Sequence, residues 1–404
     1  MRDERYDQAQ ELLQQVLTAD PRSPGALAAL AECLYRSGKH QEALEPMRAA
    51  CELAPTYAWA WQSLIEWSRE VDNGCSARSA AEKLIQDRPH DARGPLRLAE
   101  CLSDIEQIPD GLLAIDAALK LDPRNIDAHL LRAFYLGRLH RWDEALEACS
   151  PPVFGDEIPV ALRMRQAYVL YRKGLLEQAI EQMQVALRED PDQGQAWSQL
   201  ADWADEVGNE AVYLEASENL LRIDPHQPAS HGYLADALLR KSQATSADGR
   251  SAEDRAQWRE QAKEHLLTAI NLSPDYSYGT LRLVELCLED QSADDAQHAL
   301  DIGGQHLPDG YLPSLQVRIA AAKKSQAADG QLEAVEKLAE WCLAGNCDER
   351  PLVQATDALE DVIARACIVR LRQEIPLHPE NENLGAALGR LAARVQDDAD
   401  LVKM

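Results

Sequence analysis

The sequence predicts an all-α protein, a solenoid of antiparallel helix pairs stacked side by side. The motif Trp-x-x-Leu-x-x-Trp occurs at 61–67 and again at 197–203. The two copies lie four periods of about 34 residues apart, and a period of that length is typical of one class of helical repeat. Prolines and small residues recur on the same period, and these two patterns justify the individual helices.

Prolines mark the end of each predicted helix pair, because proline cannot continue a helix and is common just after its last turn. The prolines on one grid of this period are Pro21, Pro55, Pro89, Pro123, Pro191 and Pro225, and Pro274 and Pro308 continue the spacing after the grid shifts once. A proline expected near residue 157 is missing from this grid.

Small residues recur where two paired helices would cross closely. In the first helices they are Ala31, Ala99, Ala133, Ala167, Ala201 and Ala235, with Ile65 and Val284 as departures. In the second helices they are Ala9, Ala43, Ala77, Gly111, Ala145, Ala179, Ala262 and Ala296, with Tyr213 as the large exception.

These columns resemble the tetratricopeptide repeat, whose pattern is best matched by ALAALAECLYRSGKHQEALEPMRAACELAP at residues 26–55. The resemblance covers residues 1–310 and implies a right-handed superhelix of stacked pairs, with a half repeat at 1–21 and about eight further repeats. Residues 311–404 are predicted to form degenerate helical repeats and a C-terminal cap, with DALEDVIARACIVRLRQEI at 357–375 as a helix.

Three segments interrupt the regular array. SPPVFGDEIP at 150–159 should break the second helix of one pair, because it contains three prolines and a glycine. The polar segment at 241–257 accounts for the shift of the proline grid and is predicted to be an exposed insertion. Residues 4–19 supply only a second helix, so its apolar face needs a cover from the same chain or from a longer parent protein.

Composition restricts the partners. Sixty-eight acidic and forty-one basic residues give a net charge of −27, which predicts that the protein binds neither nucleic acid nor an anionic membrane surface. The chain has no apolar targeting segment and no stretch long enough to span a membrane, and its nine cysteines do not form a secreted disulfide pattern. These features predict a cytoplasmic location.

The resemblance also implies a candidate binding site, because the first helix of each repeat lines the concave wall of such a superhelix. The column expected to face this groove is Glu32, Glu66, Glu100, Phe134, Tyr168, Asp202, Asp236 and Glu285. Six of these eight side chains are carboxylates, and Phe134, Tyr168 and Tyr171 could supply apolar anchors. The alternatives are the ordinary solvated face of an acidic protein and, for Phe134, core packing.

The predicted function is a protein interaction scaffold that binds a Lys/Arg-rich or extended peptide in this acidic groove. Carboxylate-tail binding by other family members uses Lys and Asn in the groove, which this column lacks. The alternative is a substrate-recruiting or regulatory domain of a larger enzyme such as a glycosyltransferase, methyltransferase or peptidase. A prenyltransferase-like α subunit is remote, because its Asn-Tyr-x-x-Trp pattern does not occur.

No catalytic site, metal site or cofactor is predicted. The sequence has no G-x-S-x-G, no phosphate-binding G-x-x-x-x-G-K-[ST], no G-x-G-x-x-G and no H-E-x-x-H motif. Cys342 and Cys347 lack a second pair, which argues against structural zinc. The repeated tryptophans are interpreted as packing residues rather than as a binding platform.

Overall fold

The computed structural model describes residues 2–243, 251–323, 329–344, 349–357 and 359–395. Within these ranges every regular element is a helix and no strand occurs. The helices follow one another as short antiparallel pairs, which confirms the all-α solenoid class predicted from the period. The chain divides into two compact units, Met1–Pro191 and Asp192–Met404, and each is described separately.

The first unit contains eleven described α-helices. They are α1 Arg2–Ala19, α2 Pro24–Arg36, α3 His40–Leu53, α4 Ala58–Asp72, α5 Cys75–Asp87, α6 Arg93–Cys101, α7 Ile108–Leu121, α8 Ile126–Arg138, α9 Trp142–Cys149, α10 Val160–Arg172 and α11 Leu176–Glu189. Helix α1 packs on α2, and five helix pairs follow, from α2/α3 to α10/α11.

The second unit contains another eleven described α-helices. They are α12 Gly194–Glu206, α13 Glu210–Ile223, α14 Pro228–Gln243, α15 Ala252–Leu272, α16 Ser277–Glu289, α17 Ala293–Gly303, α18 Tyr311–Ala322, α19 Asp329–Ala344, α20 Glu349–Asp357, α21 Asp361–Glu374 and α22 Glu382–Arg394. The boundary predicted near residue 310, between a regular array and a degenerate cap, stays a prediction.

Local sequence sets the helix ends. Ser23 caps α2 through a side-chain oxygen that accepts a hydrogen bond from the backbone N–H of Ala26, and Pro24 occupies the first helical position. Two positions after the last residue of several first helices, the backbone adopts a left-handed conformation, which glycine adopts without steric cost. This turn column reads Gly38, His140, Gly174, Gly208 and Gln291, with φ between 57° and 87°.

Most members of the two columns of small residues lie in the core, as predicted, but Ala9 on α1 is partly exposed. The alanines at 31, 99, 133, 167, 201 and 235 have no exposed surface, and neither have those at 43, 145, 179, 262 and 296. Gly111 has a specific reason to lack a side chain: a Cβ there would lie 2.5 Å from Cε2 of Tyr135. The fully buried Tyr135 ring occupies the space that an alanine methyl fills in other pairs.

The repeated tryptophans are packing residues. Trp61 is fully buried, and Trp197 and Trp203 are each 4% exposed. Trp67 is partly buried and stacks on Tyr35 with ring centroids 4.2 Å apart. These positions confirm the packing interpretation over a binding platform.

The interruptions have structural counterparts. Helix α9 ends at Cys149 after only eight residues, and a short 3-10 helix follows at Pro152–Phe154, where the proline-rich segment predicts a break. Around the predicted insertion, α14 reaches Gln243 and α15 begins at Ala252, so much of the segment is helical, and residues 244–250 lie outside the described ranges. The helix predicted at 357–375 corresponds to α21, Asp361–Glu374, but it starts later than predicted because α20 ends at Asp357.

Helix α1 supplies the half repeat predicted at the start. It packs on α2 on one side, while Leu12 is 62% and Val16 48% exposed. None of the helices described is both long enough and apolar enough to cross a membrane.

Candidate functional site

The predicted column lies on the first helices of the pairs. Glu32, Glu66, Glu100, Phe134 and Tyr168 lie on α2, α4, α6, α8 and α10 of the first unit, and Asp202, Asp236 and Glu285 lie on α12, α14 and α16 of the second. All eight side chains are exposed or partly exposed. Phe134 is 39% exposed, so core packing does not explain it.

In the first unit the carboxylates are bound by neighbours on their own helices. Arg36 pairs with Glu32 at 2.7 Å, and the side-chain amide of Gln62 donates to Glu66 at 3.0 Å. Arg97 pairs with Glu100 at 2.7 Å. Burial raises the pKa of Glu100, and the Arg97 charge opposes that shift. These partners reduce the negative charge that a ligand would meet.

In the second unit, Asp202 and Asp236 each accept a hydrogen bond from a tyrosine on the next first helix. The Tyr233 hydroxyl on α14 donates to Oδ1 of Asp202 on α12 at 3.0 Å, and the Tyr278 hydroxyl on α16 donates to Asp236 on α14. We call Asp202, Tyr233, Asp236, Tyr278 and Glu285 the carboxylate row. The two hydrogen bonds join side chains that are 31 and 42 residues apart in the sequence.

Arginine also contacts the carboxylate row. Arg282 Nε lies 3.9 Å from Asp236, and its Nη1 lies 3.8 Å from Glu285. Burial raises the pKa of Asp236, and the Tyr278 hydrogen bond opposes the shift. Burial followed by the Asp236 hydrogen bond raises the pKa of Tyr278, so its hydroxyl stays protonated as a donor.

Phe134 and Tyr168 come together in a pocket of about 370 Å³ in the first unit. Its lining is Ala133, Phe134, Gly137, Arg138, His140, Trp142, Arg165, Tyr168, Val169 and Arg172, and we call it the arginine pocket. Tyr171, the third predicted anchor, lies on α10 but does not line it. The pocket's charge is opposite to the one predicted for the groove.

Sequence reasoning missed Arg165, His140 and Trp142 as pocket residues. A signal for them was present, because α10 reads VALRMRQAYVLYR and contains three arginines and no acidic residue. Such a helix is unusual in a chain of net charge −27. The participation of Trp142 was hidden, because it starts α9 and reaches the pocket only through the packing of α9 beside α8 and α10.

The described residues show no metal-binding cluster, and several of their cysteines are buried. The described part of the chain contains no group of three or more His, Cys, Asp or Glu side chains that could hold a metal ion. Burial raises the pKa of Cys51, Cys149 and Cys367 to about 12, so these thiols are not nucleophilic thiolates near neutral pH. Cys347, considered as a zinc ligand, lies outside the described residues.

A family model for the tetratricopeptide repeat matches residues 1–58. These residues form α1 to α3 and the first residue of α4, and helix pairs of the same kind recur along both units. Residues 1–58 match the tetratricopeptide repeat family, and the remaining helix pairs resemble that match in fold. The tetratricopeptide assignment agrees with the resemblance found at residues 26–55. No curated protein matches the chain.

Several solved structures are similar to this chain at low identity. YrrB, described as a TPR protein with an unusual peptide-binding site, is 20% identical with a TM-score of 0.36, over 50% of this chain and 97% of YrrB. TTC0263 of Thermus thermophilus is 20% identical with a TM-score of 0.34, over 45% of this chain and 98% of its own. The human IFIT1 dimer with m7Gppp-AAAA is 14% identical with a TM-score of 0.40, over 99% and 96%.

The IFIT1 structures contradict one prediction. Net charge led us to exclude nucleic acid as a partner, yet these matches over nearly the whole chain are complexes with capped RNA. The exclusion was wrong because net charge is an average over the molecule and does not describe any one surface. The arginine pocket is a local positive surface in this acidic protein.

Proposed function

We propose that this protein is an interaction scaffold whose carboxylate row binds a basic, extended segment of a protein partner. The tetratricopeptide fold supports the general role of a scaffold. The observation that carries the finer proposal is the linkage of Asp202 and Asp236 to Tyr233 and Tyr278 across α12, α14 and α16. A cytoplasmic setting remains a prediction from composition.

The chemistry of the carboxylate row suits lysine and arginine side chains. Tyr233 contacts only Oδ1 of Asp202, and Oδ2 has no hydrogen-bond partner in the described part of the chain. Tyr278 is 44% exposed, so part of its surface is accessible to a cation beside the Asp236 carboxylate. Carboxylates and tyrosine rings both attract ammonium and guanidinium groups.

The expected affinity is modest. An exposed ion pair contributes about 0–1 kcal/mol and an exposed cation–π contact about 0.5–1 kcal/mol. Several such contacts along an extended segment would be needed for micromolar binding, which corresponds to about −8 kcal/mol. The summed negative field would accelerate encounter with a basic segment and would weaken as salt screens it.

Binding of fluorescein-labelled octapeptides to the full chain tests this proposal. An alternating Lys-Ala peptide should bind, whereas a matched Gln-Ala peptide should not. Replacing Asp202→Asn together with Glu285→Gln should weaken Lys-Ala binding about fivefold or more, since two exposed charge contacts are lost. Raising the salt concentration should weaken binding in the same direction.

Glu218→Gln provides the matched control, because Glu218 is an exposed carboxylate on the second helix α13. It removes one charge away from the first helices and should leave the dissociation constant within about twofold. Equal weakening by Glu218→Gln would show that the effect on binding comes from net charge alone. If the double variant binds the Lys-Ala peptide as tightly as the parent does, the carboxylate row is not the binding site.

A further inference from the structure

We propose that the arginine pocket of the first unit binds an anionic side chain of a protein segment. The anionic group of that side chain is a phosphate monoester or a carboxylate. This site is distinct from the carboxylate row in the second unit, and the proposal does not depend on binding there. The sequence predicts that Phe134 and Tyr168 contact a basic ligand, so the ligand proposed for this pocket has the opposite charge.

The first argument is the charge of the pocket. Arg138, Arg165 and Arg172 all line it, and none has an ion-pair partner among the described residues. Arg163, on the same α10 helix, lies 3.6 Å from Glu189 and does not line the pocket. Three cations around one cavity without a carboxylate favour an anionic occupant, because each loses part of its hydration and gains no opposite charge.

The second argument is the geometry of the guanidinium groups. Those of Arg165 and Arg172 lie 5.7 Å and 6.0 Å from the centre of the Tyr168 ring, and that of Arg138 lies 6.0 Å from the Phe134 ring. Arg172 Nη1 also donates to the Tyr168 hydroxyl at 3.1 Å, and Arg138 Nη1 donates to one backbone carbonyl. These contacts restrict the arginines while leaving most of their N–H donors available for bidentate bonds to an oxyanion.

The third argument is size and shape. A volume of about 370 Å³ lies at the small end of the range for ligand pockets, which suits one side chain of a longer partner. The Phe134 and Tyr168 rings can contact the apolar stem of that side chain while its anionic end meets the arginines. Phosphotyrosine and glutamate both have such a stem and an oxyanion.

A strained residue at the pocket is consistent with a binding role. His140 has a φ of 57° at a turn position where Gly38, Gly174 and Gly208 occupy the same repeat register. A non-glycine residue in this conformation costs about 1 kcal/mol or more. The His140 ring lines the pocket and packs edge-on against Trp142, with centroids 5.3 Å apart. The chain therefore keeps a ring here at a cost in stability.

The test uses four peptides of the form acetyl-Gly-Gly-Xaa-Gly-Gly-amide, in which Xaa is phosphotyrosine, tyrosine, glutamate or glutamine. Each is titrated into the full chain by NMR. Phosphotyrosine should bind at least about tenfold tighter than tyrosine, and glutamate tighter than glutamine, because only the anionic members gain guanidinium bonds. The two pairs separate phosphate from carboxylate as the source of the anion.

Variants locate the site. The double variant Arg165→Gln with Arg172→Gln should reduce binding of the anionic peptides at least about tenfold. If this double variant folds poorly, the single variant Arg172→Gln keeps the test valid, because Arg172 is exposed. Arg188→Gln on α11 is the control and should bind normally. The Asp202→Asn and Glu285→Gln variant should also bind normally, which separates this proposal from the scaffold proposal.

Equal binding of phosphotyrosine and tyrosine together with equal binding of glutamate and glutamine would overturn the proposal. So would anionic-peptide affinities that stay within twofold of the parent in both arginine variants. Adenosine monophosphate is the competitor for the remaining alternative. If it binds more tightly than both anionic peptides and loses affinity in the arginine variants, the pocket is a nucleotide site and the protein-segment proposal is wrong.

Discussion

Replacing Gly111→Ala should destabilise the first unit, although alanine is the better helix former. The new Cβ would lie 2.5 Å from Cε2 and 3.2 Å from Cδ2 of Tyr135, and 3.3 Å from the Leu102 carbonyl oxygen. The ring cannot move into solvent, because Tyr135 is fully buried and its hydroxyl donates to the Ala99 carbonyl. One of the two helices must therefore shift.

The magnitude follows from three opposing terms. Overpacking a core position costs about 1–3 kcal/mol, and weakening the Tyr135 hydrogen bond costs about 1 kcal/mol. Helix propensity returns about 1 kcal/mol when alanine replaces glycine inside a helix. The net loss in the free energy of unfolding should be about 1–3 kcal/mol, measured by urea denaturation and by hydrogen exchange in α7 and α8.

Gly137→Ala is the matched control. Gly137 lies in α8 of the same unit, and its added Cβ would meet only Trp142 Cζ3 at 3.5 Å, an ordinary contact. That variant should be neutral or more stable by up to about 1 kcal/mol. If Gly111→Ala is as stable as Gly137→Ala, the Tyr135 ring does not determine the glycine. Combining Gly111→Ala with Tyr135→Leu should cost less than the sum of the two single changes.

Three further predictions concern individual positions. Burial, assisted by the His231 ring, lowers the pKa of His265, so the folded state keeps it neutral while the unfolded chain protonates below about 6.5. The stability that the neutral His265 contributes is present above that pH and lost below it. His265→Asn should therefore flatten the fall in the free energy of unfolding between about pH 7.5 and 5.5, and an unchanged slope would contradict this. Gly38→Ala should cost about 1–2 kcal/mol by urea denaturation because φ is 84° there, and a stabilised variant would refute the strain argument. Thr280→Val should stabilise the fold by about 1 kcal/mol in the same assay, because the buried Thr280 hydroxyl has no partner among the described residues. A loss of stability would contradict this reasoning.

The binding surfaces depended on contacts that sequence spacing does not describe. Glu32 and Arg36 are one helical turn apart on α2, so their pairing could be predicted from helical geometry. The bond from Tyr233 to Asp202 joins neighbouring repeats, and repeat spacing alone does not say which residue of the next helix reaches the carboxylate. The sequence therefore predicted a charged column but not how far its own neighbours neutralise it.

The arginine pocket shows the same limit more clearly. Phe134 and Tyr168 were predicted to share a surface, because they occupy one repeat register. Their setting was predicted with the wrong charge, since Arg165 and Trp142 enter from register positions outside the column that was considered. The acidity of the whole chain concealed a local excess of positive charge on α10.

Sequence by itself determined the helix pairs of the regular repeats and most of their buried positions, because a repeat places the same backbone requirement at the same position in every helix pair. Helix-breaking prolines and small crossing residues such as Ala31 and Ala99 act locally, so their pattern is legible in one dimension. Only the tertiary structure decided which charges are neutralised and which remain available. Electrostatic environment depends on distances between side chains of different helices, and those distances exist only once the helices are packed.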